Sequence, residues 1–198
     1  LFLKYQMKFR YLFFCIVLLF NSCDKQNPPV QKNETSPVKG IEIQSQSGHF
    51  TVALPPDFPT PEADTERIAV AGDSISMFTY ISETKRGICM FGSNEYSTET
   101  FKKQSPDDML DNALHSALKQ WNGRLVDTKP LNRNTGKGVS YWFVTKMDGK
   151  DFYGRFDYVL SKPRMYQVGF MSFDKDEINK ADIQTYFNSL SVPSAQVQ

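Results

Sequence analysis

Val139-Ser-Tyr-Trp-Phe-Val-Thr-Lys-Met147 leads through Asp148-Gly149 into Phe152-Tyr-Gly-Arg-Phe-Asp-Tyr-Val-Leu160. After Lys162-Pro163-Arg164 the chain continues as Met165-Tyr-Gln-Val-Gly-Phe-Met-Ser-Phe173. Runs rich in β-branched and aromatic residues, separated by turn residues, read as three consecutive strands. Asp-Gly is a strong hairpin signal, because a two-residue turn of the favoured hand needs positive φ at both central positions. With a side-chain period of two, Tyr141 and Phe143 point one way while Trp142 and Val144 point the other. Tyr166, Val168 and Phe170 likewise oppose Met165, Met171 and Phe173. A sheet that is apolar on both faces needs cover on both sides.

Two helices are available for that cover. Ser105-Pro106-Asp107-Asp108 opens the first: Ser105 caps, Pro106 suits the first position, Asp108 answers the cap, and both acids favour the dipole. Leu110, Ala113, Leu114, Ala117, Leu118 and Trp121 follow at helical spacing, and Gly123 closes the element. A second helix is expected over Asp176 to Leu190, with Ile183, Tyr186, Phe187 and Leu190 on one side. Upstream, His49 to Leu54 reads as a strand stopped by Pro55-Pro56, and 57–66 reads as a loop. Ile75–Thr84 and Gly87–Phe91 read as two further strands around Lys85-Arg86-Gly87. Strands, helix, strands, helix with hairpin turns define an α+β domain. The expectation is an α/β/α sandwich: a central antiparallel sheet of about six strands flanked by helices.

Outside that domain the composition changes. Met7-Lys-Phe-Arg10 precedes the apolar run Tyr11 to Phe20, which ends at Asn21-Ser22-Cys23. A basic start, a short apolar stretch and a small residue before the cut describe a secretory signal over 1–22. The run is too short to span a bilayer, which takes roughly 20 residues. Its end resembles a bacterial lipobox, with cleavage between Ser22 and Cys23 and lipid on Cys23. Phe20 stands there where Leu is usual, and Asn21 is larger than the usual residue. A plain secretory signal with an incidental cysteine is the alternative. Lipid chains contribute about 0.8 kcal/mol per buried CH₂, so two or more anchor stably. Residues 23–47 are polar and Pro-bearing and read as the lipidated cysteine and a flexible tether of roughly 25–30 Å span. The globular domain is placed at 48–193 and a loose tail at 194–198.

Charge and cysteine usage agree with export. The chain has 23 Lys plus Arg against 22 Asp plus Glu. Removing Lys4, Lys8 and Arg10 with the signal leaves the mature chain slightly acidic, which argues against nucleic acid as a partner. Three cysteines form no disulfide framework. Cys15 leaves with the signal, Cys23 is lipidated, and Cys89 in Gly87-Ile-Cys-Met-Phe91 reads as a buried thiol.

Motifs that carry chemistry are scarce. Gly136-Lys137-Gly138 lacks phosphate-loop spacing, and the sequence contains no His-Glu-x-x-His, Cys-x-x-Cys or Gly-x-Ser-x-Gly. His49 and His115 read as surface residues, and Asp107, Asp108 and Asp111 read as helix capping rather than metal ligands. No catalytic residue, metal or cofactor is expected. Arg155 and Asp157 share one strand face at i, i+2. They form a lateral pair if that face is covered, and hold a polar ligand if it lines a cleft. Tyr141, Trp142, Tyr153, Tyr158 and Tyr166 are either sheet core or a binding wall. Arg155, Asp157 and Tyr153 are the candidate ligand-binding residues.

Phe50-Thr-Val-Ala-Leu-Pro-Pro-Asp-Phe58 resembles the opening strand of PsbP-like domains, a fold shared by the Ran-binding Mog protein. The resemblance continues through Leu118-Lys-Gln-Trp-Asn-Gly123, through 154–168 and to Tyr186-Phe-Asn-Ser-Leu190. It implies a compact antiparallel sheet between helices. Members include thylakoid photosystem subunits, a small-GTPase regulator and uncharacterised bacterial lipoproteins, and no site motif carries over. The expectation is therefore a lipid-anchored, periplasm-facing lipoprotein of the bacterial cell envelope. It would serve as a non-enzymatic binding or accessory module for an envelope protein. A small-ligand carrier with a pocket between sheet and helix is the alternative, and a hydrolase with an unrecognised site is the third.

Overall fold

The computed structural model describes residues 40–70, 73–133 and 136–192. The signal segment 1–22, the Ser22–Cys23 junction, tether residues 24–39 and the tail lie outside the described residues.

In chain order the elements are β1 (Glu42–Ser45), β2 (Phe50–Ala53), β3 (Glu62–Val70), β4 (Asp73–Thr84) and β5 (Gly87–Glu95). They continue with α1 (Thr98–Lys103), α2 (Pro106–Trp121), β6 (Arg124–Arg133), β7 (Gly136–Met147), β8 (Lys150–Ser161) and β9 (Arg164–Ser172). A 3₁₀ turn (Glu177–Asn179) and α3 (Ala181–Asn188) close the chain. Strands β3 to β9 form one antiparallel sheet in the order β3-β4-β5-β9-β8-β7-β6, and β1 and β2 form a separate hairpin. The chain lays down one half of the sheet, crosses through α1 and α2 to the far edge, and returns inward until β9 closes against β5. The quoted stretch forms β7, β8 and β9. Asp148 and Gly149 take φ of 51° and 76°, the two positive values this hairpin turn requires.

The capping signals of α2 form as expected. Ser105 accepts from the Asp108 amide, and the Asp108 carboxylate accepts from the Ser105 amide. At the other end the left-handed cap falls on Asn122, at φ 48°, one residue before the expected Gly123, whose amide donates to the Leu118 carbonyl.

Both faces of the sheet are covered. On one, α2 buries Met109, Leu110, Leu114 and Ala117. It does so over a layer of near-parallel rings from Tyr141, Phe156 and Tyr158. Phe143 and Phe156 lie over Gly154 and Gly169 of the adjacent strands, where a Cβ would collide with the ring. On the other face the β1–β2 hairpin and α3 cover Phe91, Val168 and Phe170 with Phe50, Val52, Phe58, Ile183, Tyr186 and Phe187. Cys89 is buried here, as expected. The outer strands resist further pairing. β6 carries a bulge between Leu125 and Asp127 and places Pro130 on the edge, and β3 exposes Glu62 and Asp64.

Four expectations change. The architecture is more sheet-rich than an α/β/α sandwich with about six strands, because the large sheet alone has seven. Much of one face is covered by a hairpin rather than by helix. β3 and β6 were missed because edge strands exposed to water carry charged residues and Pro instead of an apolar alternation. The ordered domain starts before residue 48, since Glu42–Ser45 pairs with Phe50–Ala53; Glu-Ile-Gln-Ser is polar enough to read as tether. The second helix is split. Lys180 is extended at φ −61°, ψ 143°, and separates the 3₁₀ turn from α3.

Candidate functional site

β8 carries Tyr153, Arg155 and Asp157 on the face that α3 covers. Asp157 is fully buried and Arg155 is 9 % exposed. The Arg155 guanidinium donates twice to the Asp157 carboxylate, Nε to Oδ1 and Nη2 to Oδ2, both at 2.9 Å. From β7, directly opposite, Ser140 Oγ donates to Asp157 Oδ1 at 2.7 Å. Arg133, from the end of β6, approaches Asp157 at 3.8 Å and donates to the carbonyls of Phe187 and Leu190. Burial lowers the pKa of Arg133, and the Asp157 charge opposes that shift. Arg155 completes the contact with α3. It donates to Gln184 Oε1 at 3.0 Å and lies 4.0 Å from the Phe187 ring centroid and 5.1 Å from that of Trp142. The candidates Arg155 and Asp157 thus form an internal ion pair that binds the last helix to the sheet.

A second cluster holds the other end of α3. In the β4–β5 turn, Arg86 donates to Asp182 at 2.7 Å, Glu177 at 2.9 Å and Asp57 at 2.8 Å. Asp182 is held below the usual carboxylate range by its hydrogen bond from Arg86. The same bond raises the pKa of Arg86 further.

Two residues before Arg155, Tyr153 is half-buried at the margin of the core that α3 covers. It belongs to a cleft of about 810 Å³ where the β7–β8 hairpin runs out beyond α3. Trp142, Val144 and Tyr153 form the floor; Arg124 and Val126 from β6 form one wall, and Lys175, Asp176, Ile178 and Asn179 the other. The volume falls within the range of small-molecule sites, while the cleft is open to solvent and polar side chains share its lining with the apolar floor. Val126 is 58 % exposed because the bulge turns it outward. Lys146 and Asp151 pair across the rim at 2.7 Å, and the Tyr153 hydroxyl donates to Asp151 at 3.4 Å. The side chains of Arg124 and Lys175 make no hydrogen bond or ion pair among the described residues; Asp151, its pKa lowered first by its hydrogen bond from Lys146, also feels the Arg124 charge.

The other sequence candidates fall elsewhere. Tyr141 and Tyr158 are core under α2, where burial pushes Tyr158 up to about 12 and Tyr141 higher still. Tyr166 packs against Phe50 in the opposite core. His115 is exposed, 2.8 Å from the Asp111 carbonyl, and Asp108 caps α2. Among the described residues no group of three His, Cys, Asp or Glu could hold a metal ion. Arg124, Val126 and Lys175 were missed as site residues. Their only trace was a basic or apolar residue in segments that read as loops.

A seven-stranded antiparallel sheet with a hairpin and a short C-terminal helix on one face and a capped helix on the other is the PsbP-like arrangement. Among solved structures, this chain is similar to cyanobacterial PsbP (CyanoP) from Synechocystis sp. PCC 6803. The TM-score is 0.56 at 8 % identity, over 84 % of this chain and 100 % of that one. A Pseudomonas aeruginosa protein of unknown function matches with a TM-score of 0.40 at 10 % identity, over 70 % of this chain and 85 % of that one. A Bacteroides thetaiotaomicron protein gives 0.43 at 10 % identity, over 79 % of this chain and 50 % of that one. No family model and no curated protein matches the sequence. The fold is PsbP-like, as the sequence resemblance implied.

Proposed function

We propose that this chain is a lipid-anchored, extracytoplasmic binding module of the bacterial envelope, without catalytic activity of its own. One observation carries the non-enzymatic part. The buried pair Arg155 and Asp157, and the half-buried cluster of Arg86 with Asp182 and Glu177, are already satisfied internally and hold α3. The anchored part rests on the basic start, the apolar run and Cys23. The polar, Pro-bearing composition after the cysteine, read as a tether over 23–47, supports a domain held off the membrane, with Ile41 onward already hydrogen-bonded into the domain. The finer architecture also fits a tethered module, with helices on both sides of the central sheet as in an α/β/α sandwich. Its partner is an envelope protein.

The test is metabolic palmitate labelling with membrane fractionation and in-cell crosslinking, comparing wild type with Cys23→Ala. Labelled, membrane-bound wild type and unlabelled, released Cys23→Ala are expected, together with a crosslinked partner lost on release. Unlabelled wild type in the soluble fraction overturns the anchor, and an intact anchor with no crosslinked protein overturns the adaptor. The second reading, a small-ligand carrier, is favoured by the open cleft over Trp142 and Tyr153.

A further inference from the structure

We infer that the cleft at the open end of the β7–β8 hairpin binds a small organic carboxylate with a flat apolar body, and that Arg124 receives the carboxylate. The inference rests on the carrier reading and gives it a ligand class. The floor of Trp142, Val144 and Tyr153, with Val126 and Ile178 beside it, offers apolar surface to such a body. Charge selects the head group. Lys146 and Asp151 neutralise each other across the rim. Lys175 on one wall is followed in sequence by Asp176, also in the lining, so that wall holds one charge of each sign. Arg124, on the β6 wall, is exposed, and its side chain makes no hydrogen bond or ion pair among the described residues; Asp151, held first by Lys146, also feels its charge, and the three bases and two acids of the lining leave the cleft one positive charge in excess. Lys129 lies 4.9 Å and Arg155 5.1 Å from the Trp142 ring, but each is paired with a carboxylate, Lys129 with Asp127 and Arg155 with Asp157, so the ring is held in place without adding net charge to the cleft. A guanidinium presents two parallel N–H donors that match a carboxylate, a geometry an ammonium lacks. The pairing is asymmetric: one fork of donors at one end of an apolar floor. That arrangement favours a monoanion with one polar end over a dianion or a cation.

The experiment follows the indole N–H resonances of the full chain by NMR. Only two tryptophans are present, so Trp121→Phe assigns the signal of Trp142. The probes are 2-naphthoate and 2-naphthylmethylammonium, which share a ring system and differ in charge. Naphthoate should move the Trp142 signal to saturation while leaving that of Trp121 in place, and the ammonium should bind at least tenfold more weakly. Arg124→Gln should weaken naphthoate about tenfold, the loss expected for one charged hydrogen bond, and Arg124→Lys should recover only part of it. An unchanged thermal transition in both variants shows that the fold is intact. If both probes saturate alike, or Arg124→Gln binds naphthoate as wild type does, the carboxylate class is wrong and the cleft stands. If neither probe moves the Trp142 signal at millimolar concentration, the carrier reading falls with it.

Discussion

Tyr153 and Arg155 stand two positions apart on one face of one strand, yet belong to different worlds. Under α3, Arg155 meets Asp157, Gln184 and the Phe187 ring, and water is shut out. One step toward the hairpin tip the helix no longer reaches, and Tyr153, Trp142 and Val144 face an open cleft. The difference is made by cover rather than by composition, since both regions mix aromatic and charged residues. A charge beneath the helix becomes architecture, while the charged side chains past the helix end, Arg124 and Lys175 among them, stay exposed.

The comparison is broken most severely by Asp157→Ala. It leaves Arg155 and the nearby Arg133 buried without their carboxylate, and about 3–5 kcal/mol of stability should be lost in denaturant unfolding. A loss below about 1 kcal/mol would show that the network is hydrated and the two regions alike. Next comes the sealed phenol on the opposite face. Tyr158 is pushed up to about 12 by burial, so the folded state keeps its proton while the unfolded chain gives it up near pH 10. Stability is therefore complete below pH 10 and falls as pH rises toward 12, by up to about 3 kcal/mol from this group. Tyr158→Phe should flatten that fall in pH-dependent melting.

The Arg86 cluster gives a smaller, opposite dependence. Asp182 has a depressed pKa, so its contribution is present above the ordinary carboxylate range near pH 4 and is lost as pH falls through the depressed value. Arg86→Met should lower stability at pH 7 by about 1 kcal/mol, since its partners are partly exposed, and should blunt the acid dependence. Equal acid sensitivity in variant and wild type would place the acid-labile contact elsewhere. The smallest effect belongs to the cleft. Lys175→Ala should change stability by no more than about 0.5 kcal/mol, because its exposed side chain pairs with nothing among the described residues.

The sequence was most legible where local chemistry and tertiary role coincide. Ser105 to Asp108 announces a helix start that forms hydrogen bond for hydrogen bond, and Asp148-Gly149 makes the turn its residue types demand. The spacing of Arg155 and Asp157 placed them on one face, but only the packing of α3 decides that this face is closed there. Edge strands were the blind spot. Lys129 and Pro130 protect β6 from further pairing, and those same residue types hide it from a search for apolar alternation. Because Arg124 and Val126 lie on that strand, the cleft wall was hidden with it.

The hairpin that opens the domain is completed by the residues that end it. The amide of Thr51 donates to the carbonyl of Ser191, the Ser191 amide donates back to Thr51, and the Ala53 amide reaches the Ser189 hydroxyl. A chain synthesised only as far as Lys180 would own every strand and still lack the helix that meets Phe91 and the segment that clasps β2. Loop closure over that separation is slow and gains nothing until the last element arrives. The first and last segments of the domain therefore hold each other only once residues 181–191 have been made, and until then β2 lacks its clasp.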